Sequence, residues 1–314
     1  MADPLNNKIF QDATKARAWL EALLWADGRV CGYCGVSDES TPLASRPGTY
    51  QCNACRKQFT VTVGTVFERS HIPLNKWLMA AFLLCASKKG MSAHQMHRML
   101  GITYKSAWFM CHRLREAMAP LGGKFAGPLG GEGKPVEADE TYVGGKEKNK
   151  HKSKRVKGNI GGRGKQIAFA LVERGGSVRS FHVPEVAAKT LRPILKAQID
   201  AASTLNTDDA GQYRHMHKDF TKHEVVNHGI GEYVRGDAYT NTVEGYFAIF
   251  KRGIIGTYHH VSPQHLKRYL GEFDFRYNER SALGVDDSAR ATKALQGIVG
   301  KRLTYRRTGE TANA

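Results

Sequence analysis

The sequence lacks a hydrophobic run that could cross a membrane, because its longest apolar stretch, between Trp77 and Ala86, is too short for a bilayer. The opening residues, MADPLNNKIFQDATKAR, also lack the apolar segment of a secretory signal. Together these two absences predict a soluble cytoplasmic protein that has no membrane partner.

Acidic residues are outnumbered, with 29 Asp and Glu against 47 Lys and Arg, which leaves a formal net charge of +18. A field of this sign attracts polyanions and makes nucleic acid the leading class of partner. Ribosome-associated proteins and very soluble enzymes can be equally basic, so charge alone does not select a function. The 314 residues, 41% of them hydrophobic, are enough for two or three packed domains.

Cysteine is sparse, and six cysteines in a cytoplasmic chain do not predict a disulfide framework. Four of them form two CxxC pairs, CGYC and CNAC, with the spacing of a zinc ribbon. The predicted ligands of one structural Zn²⁺ are Cys31, Cys34, Cys52 and Cys55. A redox CxxC is the alternative, but no βαβ pattern surrounds either pair. Alternating residues around the second pair predict a small antiparallel β-sheet, and the apolar neighbours of Cys85 and Cys111 predict core positions.

Helical periodicity dominates residues 71–120, where successive segments carry start and stop signals. Ser92 and Gln95 form a capping box. Gly101 suits a helix end, and Thr103 can cap the helix that follows. Two short helices joined at a glycine predict a helix-turn-helix, whose second helix would enter a DNA major groove. Any three-helix bundle shares this pattern, so a purely structural role stays open.

The last of these helices has an apolar stripe formed by Tyr104, Ala107, Trp108, Cys111, Leu114 and Met118. The polar residues that lie off this stripe are Lys105, His112, Arg113 and Arg115. If this helix reads DNA, its predicted contacts are Lys105, Ser106 and Arg113.

Glycine and proline cluster between Pro120 and Pro135, which predicts a linker over residues 121–134. Beyond it, three consecutive strands, a helix and a fourth strand predict an α/β domain over residues 135–285. The glycines near Lys165 do not form a phosphate-binding loop, because no Ser or Thr follows the lysine and a strand comes next. Residues 1–70 are predicted to hold an N-terminal helix and the ribbon, and residues 286–314 a basic C-terminal tail.

Three acids, Glu137, Asp139 and Glu140, stand together just before the densest run of Lys and Arg. Asp139 lies on the first predicted strand and Asp208 ends the fourth, so their carboxylates converge if these strands are neighbours. Carboxylate oxygens suit Mg²⁺ and suit zinc poorly. An acid at a strand end is also common as a turn residue or a helix cap, which is the structural alternative.

A later predicted helix carries further candidate ligands. Asn241 and Glu244 are three residues apart and Lys251 follows seven residues after Glu244, so all three project to roughly one helical face. A solvated helix carboxylate is the structural alternative for Glu244. A metal ion would relieve the repulsion of such an acidic cluster, and the basic residues nearby would hold a polyanion.

A resemblance to bacterial insertion-sequence transposases of family fifteen-ninety-five is carried by three segments: VEADETYVGGK, TDDAGQY and NHGIGEYVRGDAYTNTVEGYFAIFKRGIIGTYHHVSPQHLKRYLGEFDFRYNER. Those proteins are similar to this chain over almost its whole length, zinc ribbon included. The resemblance implies a multidomain chain in which a ribonuclease-H-like catalytic domain with a DDE-type metal triad cuts and rejoins DNA. Asp139 and Asp208 match the first two acids. The third position lies in TNTVEG, where the family varies between an acid and Asn, so Glu244 is slightly preferred over Asn241.

The resemblance also implies cofactors and partners. Two Mg²⁺ or Mn²⁺ ions per active site would activate water and then a DNA 3′-hydroxyl for in-line attack. The partners would be double-stranded transposon ends and target DNA, bound by a homodimer or a larger assembly that associates with the nucleoid. Predicted DNA contacts of the catalytic domain are Lys146, Lys148, Lys150, Lys152, Lys154, Arg155, Lys251 and Arg252. A solvated loop is the alternative for the basic run over residues 146–165.

Two other functions are compatible with these motifs. A non-catalytic DNA-binding regulator needs only the zinc ribbon and the helix-turn-helix, and it would show no metal-dependent cleavage. A structure-selective nuclease of the same fold would cut DNA without joining strands and without preference for element ends.

Overall fold

The computed structural model describes residues 6–120, 125–145, 149, 151–155, 162, 164–227, 229, 231–232 and 234–304. The chain divides into two compact units, Met1–Gly123 together with Arg280–Ala314, and Lys124–Glu279. Within the described ranges, no helix has both the length and the apolar character that spanning a bilayer requires.

The first unit opens with helix α1, Ala13–Leu24, followed by a small antiparallel sheet. Asp12 begins α1 by accepting hydrogen bonds from the backbone N–H groups of Thr14 and Lys15 at 2.7 and 3.1 Å. The sheet has the order β1-β2-β3, with strands β1 Ser40–Pro42, β2 Tyr50–Cys52 and β3 Gln58–Phe59. This sheet confirms the antiparallel arrangement that the residues around the second cysteine pair predict.

The helical part of the first unit contains α2 Leu74–Ala86, α3 Ala93–Leu100, α4 Tyr104–Met118 and, from the C-terminal segment, α8 Asp287–Gln296. The predicted helix ends are confirmed, but only the Ser92 half of the predicted capping box forms, because the Gln95 side chain donates to the Met99 sulfur at 3.9 Å. Ser92 caps α3, Gly101 ends it with a φ of +58°, and Thr103 caps α4. Cys85 and Cys111 are buried, as their apolar neighbours predict.

Helix α8 differs from the basic tail expected over residues 286–314. It packs against α2 and α4 and buries Ala291, Ala294 and Leu295. Arg290 is buried with them and donates a hydrogen bond to the carbonyl oxygen of Cys85 at 3.0 Å. The segment is rich in basic residues, and its apolar face is short. Its composition therefore does not predict a helix that packs against the rest of the unit.

Helix α4 is buried on more sides than its apolar stripe predicts. His112 and Arg115 lie off the stripe, yet both are buried, whereas Tyr104 on the stripe is 44% exposed. The reason is that α2, α3 and α8 all pack against α4, so its polar positions are covered as well. An outward orientation inferred from helical periodicity is therefore wrong for His112 and Arg115.

The second unit is built on a five-stranded sheet in the order β6-β5-β4-β7-β8. The strands are β4 Pro135–Val143, β5 Gln166–Glu173, β6 Val178–Val183, β7 Thr204–Asp208 and β8 Lys222–Val226. β5 pairs antiparallel with β4 and β6, whereas β7 pairs parallel with β4 and β8. The other elements are helix α5 Ala188–Gln198, the hairpin β9 Val234–Arg235 and β10 Ala238–Tyr239, and helices α6 Asn241–Gly253 and α7 Pro263–Asn278.

The order of β4, β5, β6, α5 and β7 confirms the predicted strands and helix of the α/β domain. The sequence pattern does not predict β8 or the β9–β10 hairpin. β8 reads KHEVV and lies at the edge of the sheet, where most of its residues are at least partly exposed. Such an edge strand lacks the continuous apolar run that marks a central strand, so periodicity alone misses it.

Hydrophobic side chains cover both faces of this sheet because successive residues of a strand point to opposite sides. One core joins Val136 and Ala138 of β4 with Leu191 of α5. The opposite core joins Ala170 of β5 with Phe247 of α6 and with residues of α7. The sheet therefore lies between α5 on one face and the pair α6 and α7 on the other.

A buried acid ties α7 to the sheet and to α6. The Asp274 carboxylate accepts hydrogen bonds from the backbone N–H and the hydroxyl of Ser180, at 2.9 and 2.7 Å, and from the Tyr246 hydroxyl at 2.6 Å. Burial raises the pKa of Asp274 to about 6, although these donors oppose the shift. Because the folded-state pKa exceeds the unfolded value, its stabilising contribution is complete below the unfolded pKa and is lost as pH rises through about 6.

We expect the Asp274→Asn variant to lose this pH dependence, because an amide does not ionise. The unfolding free energy of the wild type minus that of the variant should fall by about 2–3 kcal/mol between about pH 4 and about pH 7. Urea unfolding at both pH values measures this difference. Asp237→Asn, at an exposed position, is the control. The difference in unfolding free energy between the wild type and this variant should not change with pH. For Asp274→Asn, a difference that stays constant with pH would contradict the raised pKa.

Candidate functional site

Two aspartates lie side by side on the face of the sheet that α6 covers. Glu137 of β4 pairs with Asn206 of β7 in the parallel register. Two residues further along the same strands come Asp139 and Asp208, and side chains two residues apart share one face. The prediction that the first and fourth strands are neighbours is therefore confirmed. This pairing puts the two aspartates on adjacent strands and on the same face of the sheet.

Burial and the neighbouring acids both affect the pKa of Asp139. Burial raises it to about 7, and the negative charges of Glu140, Asp208 and Glu244 add to the shift, while the backbone N–H of Glu140 opposes it by donating at 2.7 Å. Carboxylates from β4, β7 and α6 thus act on one another electrostatically. A divalent cation at this point would relieve their repulsion, and the oxygen donors are of the kind that Mg²⁺ or Mn²⁺ binds.

The two candidates for the third ligand occupy the first turn of α6. Asn241 is the first residue of the helix, and Glu244 follows three residues later. Both are exposed, and the Glu244 carboxylate accepts a hydrogen bond from the Thr240 hydroxyl at 3.2 Å. The negative charge of Glu244 makes the smallest of the contributions that raise the pKa of Asp139.

Glu140 is the third acid of β4, and the sequence does not predict which residues it contacts. Glu140 points to the opposite face of the strand, where its carboxylate accepts hydrogen bonds from Gln212 at 3.0 Å and from the buried Tyr213 hydroxyl at 2.6 Å. Burial raises the pKa of Glu140, and the charge of Asp208 raises it further. Gln212 and Tyr213 belong to the TDDAGQY segment, which the sequence singles out. The spacing of the residues does not reveal that they bind Glu140.

The predicted DNA contacts of α4 differ in their surroundings. Lys105 is exposed on the first turn. Ser106 takes part in the helix cap, because its backbone N–H and its hydroxyl oxygen both contact the Thr103 hydroxyl. Arg113 donates a hydrogen bond to the carbonyl oxygen of Glu68 at 3.0 Å and packs over the Phe109 ring at 4.7 Å. Of the three, Arg113 is held most firmly inside its own unit.

The predicted contacts of the basic run are only partly within the described residues. Lys152 and Arg155 are exposed. Three of the predicted contacts, Lys146, Lys148 and Lys150, and the side chain of Lys154 lie outside the residues that the structure describes. On the last turn of α6, Lys251 and Arg252 are exposed, and Lys251 lines a cavity of about 420 Å³ with residues 142–145 and 254–255.

The four cysteines of the two CxxC pairs converge in the first unit. Their sulfur atoms all lie within 4.8 Å of one another, with Cys31 and Cys55 at 3.8 Å and Cys34 and Cys52 at 3.6 Å. A tetrahedral Zn²⁺ with Zn–S bonds of about 2.3 Å requires sulfurs about 3.8 Å apart. The residues present therefore fit a structural zinc ion.

Local hydrogen bonding favours the thiolate form at one of these ligands. The backbone N–H of Cys55 contacts the Cys52 sulfur at 3.4 Å and lowers the pKa of Cys52 to about 7. Around the cluster, Trp25 packs edge-on against the Tyr50 and Phe59 rings. This ribbon core is small, so cross-linking through a metal ion would supply much of its stability.

Comparison with known proteins gives matches in both units. Residues 128–278 match the ISXO2-like transposase domain, and residues 12–58 match the transposase zinc-ribbon domain. An uncharacterized protein in transposable element ISH50 of Halobacterium salinarum is 30% identical over 286 residues, which cover 86% of this chain and 92% of that relative.

A solved structure of the simian T-cell lymphotropic virus intasome in complex with PP2A regulatory subunit B56 gamma contains a chain with distant similarity. The identity is 12%, the match covers 57% of this chain and 63% of that one, and the TM-score is 0.26. The match spans less than two thirds of that chain. A score this low carries no conclusion about fold or partners.

Proposed function

The chain belongs to the ISXO2-like transposases of family fifteen-ninety-five, and from that premise we propose that it cuts the ends of an insertion sequence and joins them to target DNA. Two observations support this proposal: Asp139 and Asp208 lie on neighbouring strands on the face of the sheet that α6 covers, and the negative charge of Glu244, on the first turn of α6, adds to the raised pKa of Asp139. The strand order, with β4 antiparallel to β5 and parallel to β7, supports a ribonuclease-H-like catalytic domain.

The three acids would hold divalent metal ions, with Asn241 as the alternative third ligand. When bound, a pair of Mg²⁺ or Mn²⁺ ions would supply Lewis-acid activation of the attacking hydroxyl and stabilise the leaving oxygen. The protein itself would supply the oxygen ligands for these ions from β4, β7 and α6. No covalent intermediate with the protein is needed, because water and the DNA 3′-hydroxyl act as successive nucleophiles.

DNA would contact several surfaces. Lys251 and Arg252, on the same helix as Glu244, would bind phosphates beside the cut, and the basic run from Lys146 would bind flanking or target DNA. The zinc ribbon and a helix-turn-helix formed by α3 and α4 would recognise the element ends. Two ends must meet, so we propose a dimer or larger assembly that works in the cytoplasm in association with the nucleoid.

The test is a strand-transfer assay with labelled DNA that carries the element's own ends, the purified full chain and Mg²⁺ or Mn²⁺. We expect cleavage at the ends and covalent joining to a target plasmid. Cleavage without joining and without preference for the ends would favour a structure-selective nuclease. Specific binding with no cleavage in either metal would favour a non-catalytic regulator.

We expect Lys251→Ala to weaken the binding of element ends through loss of one phosphate contact. The slope of log affinity against log salt concentration should become shallower by about 1. Fluorescence anisotropy over a salt series measures that slope. Lys189→Ala is the matched control, because Lys189 is an exposed lysine of α5 paired with Glu185 at 2.9 Å. Equal slopes for wild type and Lys251→Ala would exclude this phosphate contact.

A further inference from the structure

Helix α6 is capped by a residue of the neighbouring strand. Its own N-cap residue, Thr240, makes no side-chain capping hydrogen bond. Glu137 of β4 takes that place: one carboxylate oxygen accepts from the backbone N–H groups of Thr242 and Val243 at 2.8 and 2.9 Å. The other oxygen accepts from the Thr242 hydroxyl at 2.8 Å. A carboxylate here satisfies otherwise unpaired N–H groups and complements the positive end of the helix dipole.

The charge of Glu137 is compensated by Arg174, at the end of the hairpin between β5 and β6. Glu137 is fully buried, and the Arg174 Nε donates to its carboxylate at 2.5 Å. The same guanidinium donates to the carbonyl oxygens of Asp237 and Tyr239 at 2.7 and 2.8 Å and lies over the Tyr239 ring at 3.4 Å. Arg174 therefore fastens the chain segment that leads directly into α6.

These contacts join the two elements that carry the first and the third acid. Glu137 and Asp139 are two residues apart on one face of β4. Thr242 and Val243, which Glu137 binds, directly precede Glu244 in the chain. A single carboxylate thus connects the strand of Asp139 to the helix turn of Glu244. Metal sites require ligands placed to within about 0.5 Å, so the rigidity of this connection bears directly on the site.

We propose that Glu137, supported by Arg174, is a positioning residue that sets the placement of Glu244 relative to Asp139. This inference rests on the proposed function. Breaking a buried pair also costs stability, so loss of activity alone would not distinguish positioning from folding. Direct metal binding distinguishes them. A displaced ligand weakens the affinity of every folded molecule, whereas a folding defect lowers the fraction of competent molecules and leaves their affinity unchanged.

The experiment measures Mn²⁺ affinity of the zinc-loaded full chain by electron paramagnetic resonance titration, beside the Mn²⁺ dependence of end cleavage. We expect Glu137→Gln to weaken Mn²⁺ binding about 10- to 100-fold, the range typical of residues that orient metal ligands. The amide offers only one acceptor oxygen, so it cannot serve both the helix N–H groups and Arg174. Saturating Mn²⁺ should restore much of the cleavage rate.

Asp219→Asn is the matched control, because Asp219 is an acid of the same unit whose ion pair with Arg192 involves α5, on the opposite face of the sheet from α6. Its Mn²⁺ affinity should stay within about twofold of wild type. Arg174→Lys keeps a positive charge and provides a second variant should Glu137→Gln not fold. It should weaken Mn²⁺ binding severalfold, because it loses the bonds to Asp237 and Tyr239.

Three results separate the possibilities. Unchanged affinity in both Glu137→Gln and Arg174→Lys, with Asp139→Ala strongly impaired, would overturn the positioning role and leave the proposed function intact. Equal weakening in Asp219→Asn would also overturn it, because any disturbance of the unit would then have the same effect. Failure of the wild type to bind Mn²⁺, or wild-type affinity in Asp139→Ala, would remove the proposed function and this inference with it.

Discussion

Alanine at Asp139, Asp208 or Glu244 is expected to abolish metal-dependent cleavage while leaving the binding of element ends intact. Each substitution would remove one oxygen ligand from the proposed metal site, and none would remove a proposed contact to phosphate. A loss of about a thousandfold or more, equivalent to about 4 kcal/mol of transition-state stabilisation, is the expected size. Gel-based cleavage of labelled ends and a mobility-shift assay on the same samples measure the two properties separately.

The same series decides between the two candidates for the third ligand. If Glu244 binds metal, Asn241→Ala should weaken cleavage only modestly, because Asn241 would then lie beside the metal without binding it. The reverse order of effects would make Asn241 the ligand and give Glu244 a supporting role. Wild-type rates of cutting and joining in all four variants would show that these residues have no part in a transposase site.

Loss of zinc is expected to unfold the ribbon and to end the specific recognition of element ends. Cys31, Cys34, Cys52 and Cys55 surround one point, and the ribbon core beside them is small. In comparable small domains, zinc binding contributes about 10–16 kcal/mol at neutral pH, so folding depends on the metal. Elemental analysis should find one Zn²⁺ per chain in the wild type and less than that in Cys52→Ser.

The second unit provides the internal control for this variant. Its sheet and both cores lie within Lys124–Glu279, apart from the cysteine cluster in sequence. Cys52→Ser should therefore keep the unfolding transition of the catalytic domain while losing end-specific binding. Cys111→Ala, which alters a buried cysteine outside the cluster, should retain zinc. Specific binding by a zinc-free Cys52→Ser protein would refute the role of the ribbon.

Local patterns of the sequence determined several features without any structure. The CxxC spacing identified four cysteines whose sulfur atoms do come together. Each CxxC pair forms one turn, and the loop between them only has to bring the second turn beside the first. The helix signals at Ser92, Gly101 and Thr103 act within one or two turns, so they too are readable from neighbouring residues.

Other features depend on residues far apart in the chain, and only the tertiary structure decided them. Helical periodicity left His112 and Arg115 uncovered, but α8, which comes from the C-terminal segment, packs against that helix. The sequence of the edge strand β8 is too polar to predict a strand. It forms one because its backbone hydrogen-bonds to β7. Glu137 caps a helix that begins more than a hundred positions later, a separation of 105 for Thr242. Spacing reveals contacts made along one element, whereas contacts between elements arise only when the whole chain packs.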